Sequence, residues 1–270
     1  MAFLWLSNTM LISFILLFIT GLVFGSFANV CIHRLPLEQS LYSPRSHCPH
    51  CHTPLLNRDN IPVFGFLLLK GHCRQCHARI PWRYPLVEIV MGCAFAGGLY
   101  FLKQPHGVIL LLIYAWLSFN WITITPIDYV HRIIPDELSL SLIVFGWLIA
   151  AWNPLLGPVP ASRLIQSFSA SVGSGLLMIF FAWVGEKLFK KEALGGGDVK
   201  LIAGFGAVLG WSGAAASLVF GSFFGAIVGL LLMSVGKKKL GQTIPFGPFL
   251  NIGAAIGFFW PHWWRSFFYF

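Results

Sequence analysis

Two aspartates stand beside long apolar segments, where a carboxylate needs a chemical reason. Asp198 follows three glycines in LGGGDVKL, and Asp128 lies in TPIDYVHRIIPDEL. Because burying a charge near lipid is costly, acids in such places are candidates for function. Two neighbouring carboxylates hold one proton between them. The ionised group can then deprotonate water while the protonated group donates to a peptide carbonyl oxygen, which is the chemistry of an aspartic peptidase.

Each aspartate also has a structural interpretation. Asp198 could cap the helix that follows it, with Gly195, Gly196 and Gly197 as a hinge that also lets another segment approach closely. Asp128 falls where a predicted helix ends, and the helix macrodipole disfavours an anion there, so function explains it better than a solvated loop does. The motifs GxSxG and HExxH do not occur in the sequence, so neither a serine hydrolase nor a zinc peptidase is indicated.

Two CxxC pairs, Cys48 with Cys51 and Cys73 with Cys76, are separated by 21 residues. Four thiolates at this spacing suit a tetrahedral zinc ion, and a reducing cytoplasmic location disfavours disulfides. Because four sulfur ligands leave no position for water, we predict one structural Zn²⁺ that supplies folding energy to a small segment. Cys31 and Cys93 lie at or within apolar runs and are predicted to be buried thiols.

Membrane helices must position these groups. The chain is 57% hydrophobic and 10% charged, with a mean hydropathy of +0.76, which predicts an all-α polytopic membrane protein. We predict about eight transmembrane helices, at residues 8–30, 85–102, 107–126, 137–152, 164–186, 198–210, 213–235 and 247–260. The sixth has only 13 residues where a full crossing needs about 20, so it is expected to be broken, tilted or shielded. Small residues over Gly221–Gly229 suit close helix packing.

One polar segment, residues 31–84, interrupts the apolar pattern and carries both cysteine pairs. We therefore divide the chain into a first transmembrane helix (residues 1–30), a small cytoplasmic zinc-binding insert (residues 31–84) and a transmembrane peptidase core (residues 85–270). Asp136 follows a proline within the core and is expected in the first turn of the fourth helix.

Basic residues predict the orientation of the chain. If the insert faces the cytoplasm, 15 of the 18 Lys and Arg residues lie on that side, including Lys191 and Lys237 to Lys239. The exceptions are Lys103, Arg163 and Arg265. This asymmetry predicts cytoplasmic positions for the insert and for all nine acids, and an even number of helices leaves both termini outside. The net charge of +9 is then a topology and lipid-headgroup signal, and no nucleic-acid partner is predicted.

Several motifs occur together along nearly the whole chain. The aspartate motifs are IDYVHRIIP (residues 127–135) and GGGD (residues 195–198), and both CxxC pairs accompany them. Three further segments complete the set: GSFANVCIHRLP (residues 25–36), PWRYPLVEIV (residues 81–90) and IPFGPFLNIGA (residues 244–254). With these motifs in this order, the chain resembles the GxGD intramembrane aspartyl proteases. More narrowly, it resembles the bacterial type IV prepilin peptidases, which are leader peptidase/N-methyltransferases.

The resemblance implies an enzyme of the bacterial inner membrane. Such enzymes cut the basic leader of type IV prepilins and type II secretion pseudopilins after a glycine, at the cytoplasmic face. They then methylate the new N-terminal residue, usually phenylalanine, with S-adenosylmethionine. The family's catalytic pair falls on Asp128 and Asp198. Many relatives read IDxD in the first motif, whereas this chain has Val130 at the later position, so Asp128 is the only candidate there.

The methyl-transfer site is less defined by the sequence. No GxGxG loop of a soluble methyltransferase occurs, and family analogy places the cofactor site in or near residues 25–90. Glu88 is a candidate for binding the substrate ammonium or the cofactor, although it could equally be a helix-start acid stabilised by the macrodipole. Lesser candidates for methyl transfer are Arg34 and Glu38.

The segment Pro245, Gly247 and Pro248 is similar to a proline-containing loop that lies near the aspartate pair in other GxGD proteases. It could alternatively be a simple helix start, with Pro248 at an early position. Two rival functions remain open. One is a cleavage-only relative, and the other is a proton- or metal-coupled transporter, which would place acids near the bilayer midplane and on both membrane faces.

Overall fold

The computed structural model describes residues 8–190, 194–236 and 244–260. This part of the chain contains nine α-helices and no β-strand, which confirms the all-α prediction. The helices are α1 (Asn8–Arg34), α2 (Phe64–Leu68), α3 (Arg83–Gly97), α4 (Leu99–Leu102), α5 (Gly107–His131), α6 (Asp136–Ile149), α7 (Pro160–Phe189), α8 (Gly196–Ser234) and α9 (Gly247–Phe259). Part of the predicted charge asymmetry lies outside the described residues, namely Lys191, Lys237 to Lys239 and Arg265, and so do both termini.

Five segments are long and apolar enough to cross a membrane. They are Thr9–Leu37, Arg83–Leu102, Gly107–His131, Pro160–Leu188 and Gly196–Ser234. Helices satisfy their own backbone hydrogen bonds, which is what a lipid environment requires. The shorter α6 and α9 have 14 and 13 residues. The sixth and seventh predicted spans both fall within α8, on either side of a kink at Gly210.

Helix α8 consists of two helices that meet at a kink, which confirms the prediction of two separate helices over residues 198–235. The backbone leaves helical geometry at Gly210, where φ is 72° and ψ is −171°. This backbone conformation favours glycine, and the kink falls at the last residue of the predicted sixth helix. Two buried side chains donate to carbonyls just before the interruption. Asn153 Nδ2 lies 2.7 Å from the Val208 oxygen, and Ser167 Oγ lies 2.7 Å from the Ala207 oxygen.

Helix α5 differs from its prediction. It was expected to end at Pro126 but continues to His131, with the proline inside it. Proline removes one backbone hydrogen bond from a helix. The neighbouring Ile124 and Ile127 are fully buried, and this packing holds the turns on either side of the proline. Asp128 therefore lies inside α5, three residues before the last residue of the helix, His131.

The chain divides into two compact units, residues 1–123 and residues 124–270. In the first unit, glycines let α1 and α3 pack closely. A Cβ atom on Gly21 would lie 2.6 Å from the Met91 carbonyl oxygen, and one on Gly25 would lie 2.6 Å from Glu88 Cα. No side chain fits at such distances, so this contact sets the GSFANVCIHRLP motif against PWRYPLVEIV.

In the second unit, α8 packs against α6, α7 and α9. The predicted packing face at Gly221–Gly229 contacts α9 and the residues before it. Cβ atoms added at Gly221 and Gly229 would lie 3.1 Å from Leu250 and 3.2 Å from Ile244. The prediction of close helix packing at these residues is confirmed.

Candidate functional site

Asp128 is held by the first residue of a different helix. Its side chain lies on α5, and the residue is 5% exposed. The backbone N–H of Gly247, the first residue of α9, donates to Asp128 Oδ2 at 2.7 Å. The positive end of the α9 dipole thus faces a carboxylate near the negative end of α5. This contact offsets the unfavourable position that the sequence indicated for Asp128.

A second hydrogen bond fixes α9 along α5. Asn251 Nδ2 donates to Thr125 Oγ1 at 3.0 Å, about one turn from the Gly247 contact on each helix. These two hydrogen bonds fix the position of α9 along α5, so they hold the Gly247 N–H at Asp128. The sequence analysis did not single out Asn251, although an amide in an apolar helix is itself a signal of a specific partner.

The glycine and proline residues before and within α9 have different environments. Gly247 is buried, whereas Pro245 and Pro248 are half-buried. Pro248 is the second residue of α9, where a proline needs no hydrogen-bond partner for its nitrogen. Gly247 is therefore the residue of this segment that contacts Asp128, and Pro248 has the position of a helix-start residue.

Asp198 is the third residue of α8 and is half-buried. Its Oδ2 accepts from the Gly195 N–H at 3.3 Å, and its own N–H donates to the Gly195 carbonyl at 3.1 Å. The first of these bonds is the carboxylate half of a capping box, and glycine has no side chain to supply the other half. Asp198 thus caps its helix from the third position, and this cap engages only one of its two oxygens.

The two aspartates belong to one site. Asp128 is close enough to Asp198 for the two carboxyl groups to interact electrostatically. Ile134 packs between their elements, since a Cβ atom on Gly197 would lie 2.9 Å from Ile134 Cβ, and one on Gly247 would lie 3.3 Å from Ile134 Cδ1. The same Gly247 Cβ would lie 2.9 Å from Asp128 Oδ2. The fold thereby joins motifs that are 70 residues apart in the chain.

The three glycines before Asp198 are not equivalent. A Cβ atom on Gly196 would meet nothing within 4 Å, and one on Gly195 would meet only the Asp198 carboxylate, at 3.4 Å. Gly197 alone among them lies against another segment. Nearby, Lys200 Nζ pairs with both oxygens of Asp136 at 2.6 and 2.8 Å, which ties the start of α6 to the start of α8.

The four cysteines of the insert form a single cluster. Their sulfur atoms all lie within 4.8 Å of one another, with Cys48 and Cys76 at 3.8 Å and Cys51 and Cys73 at 3.9 Å. A tetrahedral zinc ion with Zn–S bonds of 2.3 Å would separate its sulfur ligands by about 3.8 Å. These spacings fit a zinc ion. Cys93, by contrast, is exposed on α3 and not buried as predicted.

The two cysteine pairs share one backbone design. The N–H of Cys48 donates to the Thr53 carbonyl at 3.0 Å, and that of Cys73 donates to the Ala78 carbonyl at 2.8 Å. Hydrogen bonds with the side chain and backbone of Thr53 lower the pKa of the Cys51 thiol to about 6. A thiol with this pKa is mostly ionised at neutral pH, as metal ligation requires.

A cavity lies between the insert and the helices α1 and α3. Glu88 and Arg34 both line it, and both are buried. Glu88 Oε2 accepts from the Val63 N–H at 2.7 Å, and Arg34 donates to the carbonyls of Ser40 and Pro44 at 2.9 and 2.6 Å. Arg34 therefore holds the first loop of the insert in place.

Glu38 has a different environment from the other two methyl-transfer candidates. It is exposed, it does not line the cavity, and it ends a short 3₁₀ turn with a φ of 54°. Sequence reasoning also passed over two neighbours of Glu88, the residues Ser26 and Asn29, which line the same cavity.

Comparison with known proteins gives a consistent result. A model of the bacterial Peptidase A24 N-terminal domain matches residues 19–102, and a model of the type IV leader peptidase family matches residues 111–230. The prepilin leader peptidase/N-methyltransferase of Aeromonas salmonicida (strain A449) is 34% identical over 272 residues, covering 92% of this chain and 90% of the relative. That of Burkholderia pseudomallei (strain K96243) is 32% identical, covering 89% and 83%. No solved structure matches the chain. The protein belongs to the type IV leader peptidase family.

Proposed function

We propose that this protein is an inner-membrane enzyme with two activities. It removes the leader peptide of type IV prepilins and pseudopilins, and it N-methylates the residue exposed by the cut. The relatives named prepilin leader peptidase/N-methyltransferase support both activities, since they match about nine tenths of the chain at 32–34% identity. The family models support the same assignment for both halves of the chain.

We assign cleavage after glycine to Asp128 and Asp198. The observation that carries this assignment is the 2.7 Å bond from the Gly247 N–H to the buried Asp128 carboxylate, beside Asp198. Each aspartate has one oxygen fixed by a backbone N–H, Asp128 by Gly247 and Asp198 by Gly195. The proposal assigns their second oxygens to the attacking water and the peptide carbonyl.

The proton balance of the reaction follows from a pair that holds one proton. The ionised aspartate takes a proton from water, and the hydroxide attacks the scissile carbonyl carbon. The protonated aspartate gives its proton to the carbonyl oxygen. When the C–N bond breaks, the leaving amine takes a proton from the pair, and one hydroxyl of the tetrahedral intermediate returns its proton to the pair as the carbonyl re-forms. The pair ends the cycle with one proton, as it began.

We place the aspartate pair and the insert on the cytoplasmic side of the membrane, with both termini outside. The 15 of 18 Lys and Arg residues assigned to that side support this orientation. A prepilin lies with its apolar helix in the membrane and its basic leader in the cytoplasm, so its scissile bond reaches the same boundary. An added Cβ atom on Gly195 would meet only the Asp198 carboxylate, and one on Gly196 would meet nothing within 4 Å. This free space supports the approach of an extended peptide beside Asp198.

The insert is proposed to serve methyl transfer. Cys48, Cys51, Cys73 and Cys76 would hold a Zn²⁺ ion that stabilises the insert. S-adenosylmethionine would supply the methyl group, and we place the reaction in the cavity that Glu88 lines, whose buried carboxylate suits an amine. Arg34 supports this cavity by holding the 40–44 loop. The intact cysteine cluster and the cavity favour this dual activity over the cleavage-only alternative.

The experiment is an incubation of the purified enzyme with a prepilin and labelled S-adenosylmethionine, followed by intact-mass analysis. The expected product has lost its leader and gained one labelled methyl group. An unmethylated mature pilin would refute methyl transfer and leave a cleavage-only enzyme. An unchanged precursor would refute the proposed function as a whole.

A further inference from the structure

The cavity in residues 1–123 contains an amide oxygen for which the described part of the chain supplies no hydrogen-bond donor. Asn29 lies on α1, lines the cavity and is 3% exposed. Its Nδ2 donates to the Tyr84 carbonyl of α3 at 3.0 Å, and its Oδ1 has no hydrogen-bond partner within the described residues. Because a carbonyl can only accept, the amide nitrogen must face Tyr84, which leaves the oxygen for the cavity. A buried acceptor without a donor is unfavourable unless a ligand supplies one.

Glu88 lines the same cavity, and an added Cβ atom on Gly25, one turn before Asn29 on α1, would lie 2.6 Å from Glu88 Cα. Tyr84 and Glu88 are one helical turn apart on α3, so they share a face of that helix. Glu88 is 7% exposed and accepts from the Val63 N–H and from Ser26. Among the described residues it forms no ion pair, whereas a carboxylate can accept about four hydrogen bonds. Buried charges are ordinarily paired, so Glu88 calls for a cation.

The cations around the cavity do not meet this need. The guanidinium of Arg34 is engaged by the carbonyls of the 40–44 loop. Arg79, His33 and His50 line the cavity but are exposed, and the half-buried His47 has Nδ1 3.0 Å from the Arg45 carbonyl oxygen. The apolar residues of the cavity wall include Val30, Ile61, Val63 and Phe66. A ligand that fits would therefore carry several N–H donors and one positive charge next to an apolar group.

We propose that Asn29 Oδ1 and the Glu88 carboxylate together bind an α-ammonium group, that of a peptide whose first residue is apolar. This proposal rests on the proposed methyl-transfer function and adds a second residue that selects a free amine. An ammonium has three donors, enough for the Asn29 oxygen and the carboxylate at once. S-adenosylmethionine also carries an α-ammonium group, so the test must separate the two sources.

The test is equilibrium binding of a short peptide that begins with phenylalanine, measured with the purified full-length enzyme in detergent and without methyl donor. Its free-amine form is compared with its N-acetylated form. For wild type we expect a preference for the free amine of about tenfold or more, since hydrogen bonds to a charged group are stronger than those between neutral groups. Asn29→Leu should reduce this preference below about threefold. A preference that Asn29→Leu leaves unchanged would overturn the proposal.

Two further variants separate the acceptor from a structural effect. Asn29→Asp keeps an oxygen acceptor but loses the donor to Tyr84, so it should retain the preference. If Asn29→Asp loses the preference for the free amine, the effect belongs to the hydrogen bond with Tyr84, and the proposal is overturned. Asn120→Leu is the matched control, because Asn120 is equally buried, donates through Nδ2 to the Trp116 carbonyl and does not line the cavity. It should bind as wild type does.

Parallel measurements distinguish the source of the ammonium and the fate of each proposal. In Asn29→Leu, the Kd of S-adenosylmethionine should stay within about twofold of the wild-type value. A large rise in this Kd, with an unchanged preference for the free-amine peptide, would show that Asn29 Oδ1 binds S-adenosylmethionine and would refute the peptide site. Wild-type enzyme that methylates pilin but shows no amine preference would contradict this inference alone. Enzyme that prefers the free amine but transfers no methyl group would support the ammonium site while contradicting the proposed function.

Discussion

In the candidate active site, Asp128 accepts a hydrogen bond from Gly247, a residue without a side chain. A Cβ atom on Gly247 would lie 2.9 Å from Asp128 Oδ2, closer than such contacts normally allow. Gly247→Ala should therefore displace the carboxylate and lower the cleavage rate by about 10- to 100-fold, since small misplacements of reacting groups are this costly. Leader removal measured by gel shift provides the readout. Gly196→Ala, where the added Cβ meets nothing within 4 Å, should cleave at nearly the wild-type rate.

Gly197 provides a second residue-scale prediction. Its added Cβ would lie 2.9 Å from Ile134 Cβ, so a branched side chain would push the start of α8 away from the segment that follows Asp128. Gly197→Val should cripple leader cleavage while expression in the membrane stays at the wild-type level. Gly196→Val is the control at the neighbouring position. Normal cleavage by Gly197→Val would contradict the role of this close approach.

The sequence identified the aspartates because a carboxylate at a lipid boundary is rare enough to be informative. It did not identify Asn251 or Asn29. An amide in an apolar helix has meaning only once its partner is known, and the partners Thr125 and Tyr84 are on other helices. The sequence likewise offers no reason to distinguish the three glycines, whereas in the structure Gly197 alone among them lies against another segment.

At the scale of elements, the cysteine cluster supports a prediction about metal content. One zinc per chain is expected in undenatured protein, and structural zinc of this kind contributes about 10–16 kcal/mol of binding free energy. Cys76→Ser should lower the zinc content sharply because it removes one of four ligands. Cys93→Ser, which alters a thiol outside the cluster, should leave it unchanged. Elemental analysis that finds no zinc in the wild-type protein would contradict the assignment.

Metal removal should also separate the two activities. The cysteines line or adjoin the Glu88 cavity in residues 1–123, whereas the aspartate pair lies in residues 124–270. Cys76→Ser is therefore expected to lose methylation to a greater degree than leader cleavage.

The helices themselves were only partly predictable. Pro126 suggested the end of α5, yet buried isoleucines on either side carry the helix on to His131. The division of residues 198–235 into two helices, by contrast, is confirmed by the kink at Gly210, and buried polar side chains of other segments donate to the carbonyls just before it. At Pro126, tertiary packing overrode a local signal that was itself correct about the chemistry of proline.

At the scale of the whole molecule, the asymmetry of basic residues predicts a defined orientation. Alkaline phosphatase is active only outside the cytoplasm, so a fusion after Gln104, in the turn between α4 and α5, should be active. A fusion after Arg58, within the insert, should be inactive. The reverse pattern would invert the topology and place the aspartate pair away from the leader of a prepilin.

The transporter alternative belongs to this scale as well, because it requires acids on both membrane faces. Three of the acids described within residues 124–270, Asp128, Asp136 and Asp198, are grouped by the Lys200 pair and the Ile134 contacts, which disfavours that alternative. Charge counting could indicate this grouping from the sequence. The contact of Gly247 with Asp128 could not be inferred in that way, because it depends on how α9 packs along α5.

The most direct measurement is intact-mass analysis of a prepilin after incubation with wild type, Asp128→Asn and Asp198→Asn. Each substitution removes the group that takes or gives the proton while keeping its shape, so each variant should leave the leader attached, with a rate lowered by at least about 100-fold. Asp136→Asn alters an aspartate whose side chain is 56% exposed and should cleave within about fivefold of wild type. Wild-type cleavage by either Asp128→Asn or Asp198→Asn would contradict the assignment of the reaction to this pair.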